Sequence, residues 1–96
     1  MIIRPEVKVF AEKMEYKLSL NDSKDHWCLV PLDRLIDGMM SEIAELLDSI
    51  KHGDSLEEIA FEAADVANFA MMIADNVEFN YGGVNDKLGK NHKLGL

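Results

Sequence analysis

Apolar residues recur along this chain at three- and four-residue spacing, and the interruptions fall where helices start and stop. Val7, Phe10, Ala11, Met14 and Leu18 follow Pro5, a residue suited to a first helical turn, so residues 5–19 read as an amphipathic helix. Residues 21–26 are polar, with the Asn, Asp and Ser of turn chemistry, and predict a loop from which residues 27–30 lead out. Pro31 then opens a second helix, whose Leu32, Leu35, Ile36, Met39, Ile43, Leu46, Leu47 and Ile50 hold the helical period until Gly53 stops it. Ser55 and Glu58 form a capping box, with Asp54 as an alternative cap, and open a third helix that runs to about Tyr81, before Gly82 and Gly83. The connection at residues 51–54 is short enough to make the two helices antiparallel neighbours. Residues 85–96 carry Lys87, Lys90, His92 and Lys93 with too little apolar periodicity to assign structure.

No repeat, linker or low-complexity tract divides residues 1–96, which read as one all-α domain. The expected architecture is an antiparallel helical hairpin with an additional N-terminal helix. A chain of 96 residues buries only about 60 to 65% of the surface its unfolded form exposes, so the core is thin. Oligomerisation into a four-helix-type bundle answers that deficit.

Composition narrows the function classes. The chain is 48% apolar and 29% charged, ordinary for a folded protein, but its 18 acidic residues against 10 basic ones leave a formal net charge of −8. Nucleic-acid binders that track phosphates need a basic surface, so no nucleic-acid partner is expected. Charged residues directly after the short apolar start argue against a signal peptide, and the longest apolar run, residues 69–74, is far too short for a membrane span. A cytoplasmic protein is expected. The single cysteine, Cys28, excludes an intrachain disulfide and a cysteine-based metal site, and reads as inert.

The third helix holds the most informative departure from pattern. From position 60 to 74 the only polar residues are Glu62, Asp65 and Asn68, set three apart in an apolar rod that calls for burial on all sides. The second helix carries Glu42 and Glu45, with Glu42 at the edge of the apolar stripe and the small residues Gly38 and Ser49 nearby leaving room for a ligand. In an antiparallel hairpin, residues equidistant from the turn share a level, which sets Glu42 across from Asp65 and Glu45 across from Glu62. Four carboxylates should converge, about 12 to 18 Å below the turn. Such a cluster binds cations or holds protons, because desolvating one carboxylate already costs several kcal/mol and like charges add to that. Oxygen donors select hard cations, Mg²⁺ or else Mn²⁺. A di-iron bundle would need Glu-x-x-His, which does not occur.

The signature Glu42-x-x-Glu45, a gap of 16 residues, then Glu62-x-x-Asp65 resembles the MazG-like all-α nucleoside triphosphate pyrophosphohydrolases, a superfamily that includes dimeric dUTPases and dCTPases. SEIAELLDSI, FEAADVANFAMMIADN and NDSKDHW look like the corresponding segments of compact members. The resemblance implies Mg²⁺-dependent hydrolysis of a nucleoside triphosphate, a deoxy one above all, to the monophosphate and pyrophosphate. It implies Glu42, Glu45, Glu62 and Asp65 as metal ligands, with Glu45 the candidate to orient and deprotonate the attacking water. Lys24, Lys87 and Lys90 are candidates for the outer phosphates, Asn68 and Asn91 for hydrogen bonds near phosphates or sugar, and Trp27 for stacking on the base. Members build each site from more than one chain, so a homodimer or a dimer of dimers is expected.

Other readings stand beside these. Asn68 also suits a buried amide bonding across helices, Trp27 a core or interface anchor, and the tail lysines a solvated segment. Asp48, Glu57 and Asp75 read as surface charges. The alternative function is a non-catalytic helical oligomerisation or nucleotide-binding module that keeps a structural cation site.

Overall fold

A computed structural model describes residues 1–22 and 26–82. The described residues are all-helical: α1 (Pro5–Ser19), a 3-10 turn at Trp27–Leu29, α2 (Leu32–Lys51), α3 (Leu56–Val77) and a π turn at Glu78–Gly82. The fold class is the expected one, with an α2–α3 hairpin crossed by α1. Among the described residues, no helix is long and apolar enough to cross a membrane.

The hairpin turn is fixed by local chemistry. Gly53 takes φ +70°, a conformation that costs a residue with a Cβ about 1 kcal/mol or more. Its N–H bonds the Ile50 carbonyl at 3.2 Å and the Asp54 N–H bonds the Ser49 carbonyl at 3.1 Å, the paired bonds of a Schellman motif. Buried Ser49 adds a hydroxyl bond to Asp54 Oδ2 at 2.7 Å. Two residues later Ser55 Oγ accepts the Glu58 N–H at 3.1 Å and starts α3, as the capping pattern predicts.

Two differences from the expected elements have physical causes. Trp27–Leu29 forms a 3-10 turn because His26 Nδ1 accepts the Cys28 N–H at 3.1 Å and caps it. The third helix also changes pitch after Val77. Asn80 Nδ2 donates to the Asn76 carbonyl at 2.9 Å, the acceptor that an α-helical N–H at position 80 would use, and the backbone widens into the π turn.

The core is as thin as the length implies. Among the described residues the buried apolar side chains are Cys28, Leu35 and Ala64, matched by as many buried polar ones, Ser49, Asn68 and Asn76. α1 buries none. The apolar rod of α3 is part-buried along most of its length instead of enclosed, because α1 and α2 cover only part of its circumference. On α2 the inward stripe Leu35, Met39, Glu42, Leu46 and Ser49 is paralleled by a second, wholly apolar one, Ile36, Met40, Ile43, Leu47 and Ile50. Met40, Leu47 and Ile50 of that outer stripe are at least half exposed.

Candidate metal centre

The hairpin brings carboxylates from both helices together. One oxygen from each of Glu42, Glu62 and Asp65 lies within 4.8 Å of the others, and all three residues are largely but not fully buried. Glu42 Oε2 and Glu62 Oε2 are buried without a hydrogen-bond partner. Buried polar atoms are normally satisfied, so two orphaned carboxylate oxygens facing a third carboxylate define a site that lacks positive charge. Glu45 is exposed on the flank of α2 away from the outer apolar stripe; it stands outside the close trio and reaches it through Glu42.

The electrostatics carry the same sign. Burial, then a hydrogen bond with Glu45, then the charges of Asp65, Glu45 and Glu62 push the Glu42 carboxyl up to about 7. Glu62 is pushed up as well, by burial first and then by Asp65 and Glu45, while Lys17 pulls it back and Asp54 adds a smaller upward push. Lys17 is the cation that α1 supplies: its Nζ lies 3.2 Å from Asp65 Oδ2, with both side chains about four-fifths buried. One lysine against three or four carboxylates leaves the cluster short of cationic charge. A divalent hard cation suits it, since the donors are oxygens and Mg²⁺ is held by few carboxylates while keeping waters and phosphates in its remaining positions. Glu42, Glu62 and Asp65 would hold such an ion directly, with Glu45 at the rim.

The other candidate residues fall elsewhere. Asn68 is 3% exposed and its Nδ2 donates to the Met14 carbonyl at 3.0 Å, tying α3 to α1, while its Oδ1 is buried and unpartnered. Trp27 Nε1 donates to Asp75 Oδ2 at 2.9 Å, and its ring lies 4.4 Å from that of His26, so Trp27 anchors the 3-10 turn to α3. Lys24, Lys87, Lys90 and Asn91 lie outside the described residues. Gly38 and Ser49 leave no room for a ligand: a Cβ at Gly38 would overlap the Phe69 ring, and Ser49 is taken up by Asp54.

Sequence reasoning missed three residues. Lys17 occupies the same face of α1 as Phe10 and Met14, and the part-buried Lys13 and Lys17 on an apolar stripe were the available signal. Asp75, read as a surface charge, accepts bonds from both Trp27 and the Cys28 thiol. Asn76, 2% exposed, donates to the carbonyls of Trp27 and Val30, both at 2.9 Å, and only the tertiary fold shows it. Comparison with protein-family models, with curated proteins and with solved structures finds no match for the chain.

Proposed function

We propose that this chain is a Mg²⁺-dependent nucleoside triphosphate pyrophosphohydrolase, releasing monophosphate and pyrophosphate, with Mn²⁺ as an alternative ion and a deoxynucleotide as the favoured substrate. The observation that carries this reading is the pair of orphaned buried oxygens on Glu42 and Glu62, beside Asp65, in the Glu-x-x-Glu and Glu-x-x-Asp spacing. A cation bound there supplies charge neutralisation for the phosphates and lowers the pKa of a coordinated water. In this reading Glu45, exposed beside Glu42, orients the attacking water and takes its proton as oxygen bonds to phosphorus and the α,β anhydride bond breaks. Lys17 holds Asp65 by charge, and Asn68 fixes α1 against α3. Trp27, Lys24, Lys87, Lys90 and Asn91 remain the proposed substrate contacts, while Asn68, buried and bonded to the Met14 carbonyl, serves the fold.

A second copy of the chain completes this reading. The outer stripe of α2 has the alternating four- and three-residue spacing of a helix–helix seam and is left exposed, which supports a homodimer or dimer of dimers assembling a four-helix bundle. One observation favours the alternative of a non-catalytic module with a structural cation site: the Lys17–Asp65 ion pair already neutralises part of the cluster.

The test is incubation with each common nucleotide and Mg²⁺, with identification of products. Pyrophosphate and a monophosphate are expected, and Glu45→Gln should abolish turnover with the oligomer intact. Orthophosphate alone, or no turnover with any nucleotide by folded protein, refutes the enzyme.

A further inference from the structure

A second group of potential metal ligands lies away from the carboxylate cluster. Asp75 follows Asp65 by ten residues on α3, about 15 Å along the helix axis. Its carboxylate meets two side chains of the 3-10 turn: one ligand atom from each of His26, Cys28 and Asp75 lies within 4.8 Å of the other two. One cysteine alone offers no site built on several thiolates; the partners beside Cys28 are instead a nitrogen and an oxygen donor, from the turn and from a helix 47 residues away.

We propose that His26, Cys28 and Asp75 form a binding site for Zn²⁺ or a similar borderline divalent ion, with water in the fourth position. The donor set differs in kind from the all-oxygen cluster: thiolate and imidazole select zinc-like ions over Mg²⁺. The spacing also fits. Bonds of about 2.3 Å to sulfur and about 2.1 Å to oxygen in a tetrahedral ion put the two donors about 3.6 Å apart, and Cys28 Sγ stands 3.5 Å from Asp75 Oδ2.

The supporting shell is already built. Trp27 Nε1 donates to Asp75 Oδ2, the kind of hydrogen bond that orients a ligating carboxylate. Asn76 clamps the carbonyls of Trp27 and Val30, and Asn80 Nδ2 donates to the Cys28 carbonyl at 3.3 Å, so the backbone carrying the thiol is pinned to α3 and to the π turn that follows it. His26 Nδ1 accepts the Cys28 N–H, which leaves that nitrogen unprotonated, and it exchanges this hydrogen bond for the ion. Binding forms bonds from the ion to Cys28 Sγ, a His26 nitrogen and an Asp75 oxygen. It breaks only the Cys28 S–H bond, whose proton goes to solvent. A site there staples the segment ahead of α2 to the end of α3, where the thin core offers little else.

Co²⁺ titration of the full chain tests the site through the spectrum of the bound ion. We expect the intense visible bands of tetrahedral Co²⁺ and a near-ultraviolet sulfur-to-cobalt charge-transfer band, both removed by added Zn²⁺. Cys28→Ser should lose the charge-transfer band, and Asp75→Asn should weaken Co²⁺ binding by at least the about ten- to hundredfold that loss of a ligand's hydrogen-bond partner already costs. Glu62→Gln, in the other cluster, should leave the sulfur-to-cobalt charge-transfer band unchanged. Helicity by circular dichroism checks that each variant is folded, and the excess of protons released per ion by the unmodified chain over Cys28→Ser reports the thiol. Absence of the sulfur band, or Co²⁺ binding unaffected by Cys28→Ser and lost in Glu62→Gln, overturns the proposal.

Discussion

Neutralising Glu42 should stabilise the cation-free protein, and only above mildly acidic pH. Its carboxyl is raised from 4.5 to about 7 by burial and by neighbouring carboxylates. An acid whose folded pKa lies above its unfolded value binds its proton more tightly when folded. Its favourable contribution is complete below pH 4.5 and is lost as pH climbs through 7. The shift taken whole corresponds to about 3.4 kcal/mol, and screening by solvent at this partly exposed position brings that to about 1 to 2 kcal/mol. For a domain of this size the difference is about 5 to 15 °C in Tm. Thermal melting in chelator at fixed protein concentration, at pH 4.5 and pH 8, measures it. Glu42→Gln should melt with the parent chain at the lower pH and well above it at the higher one. Mg²⁺ should raise the parent's Tm at pH 8 and not at pH 4.5, since it binds the ionised cluster. A Tm difference between variant and parent that does not change with pH refutes the reasoning, as does Mg²⁺ stabilisation equal at both.

Three further substitutions probe the supports of the site. Lys17→Met removes the 3.2 Å ion pair to Asp65; melting should show a loss of about 0.5 to 1 kcal/mol in chelator that shrinks when Mg²⁺ is saturating. Gly38→Ala drives a methyl into the Phe69 ring and should cost about 1 to 3 kcal/mol by urea unfolding, with the slope unchanged. Asn76→Ala leaves the Trp27 and Val30 carbonyls without their buried donor and should cost about 2 to 4 kcal/mol, with faster amide hydrogen exchange in residues 27–30.

The helices were legible because their punctuation is local. Pro5, Pro31, Gly53 and Ser55 act within a turn of themselves, and the stripes they bound follow one period. The carboxylates were legible for a related reason, since Glu62 and Asp65 interrupt an apolar run that offers them no polar face. What the chain did not disclose depends on how separate helices dock. Lys17 meets Asp65 only because α1 crosses α3 at that level, and Asp75 meets Trp27 and Cys28 across more than forty intervening residues. Space was the hardest quantity to read: Gly38 looked like room for a ligand, and Phe69 from the facing helix fills it.

The Schellman turn at Gly53 acts as a ruler. Its bonds to Ile50 and Ser49, with the Ser55 cap beyond, leave no slack between the end of α2 and the start of α3. Because each helical residue turns the chain by about 100°, one residue inserted between Glu45 and Glu62 would swing Glu62 and Asp65 out of reach of Glu42 while leaving both helices able to form. Length added before Pro5 leaves that register untouched, but inside the interval it is measured to the single residue. The turn thus sets whether Glu42, Glu62 and Asp65 are scattered along two helices or gathered within 4.8 Å of one another.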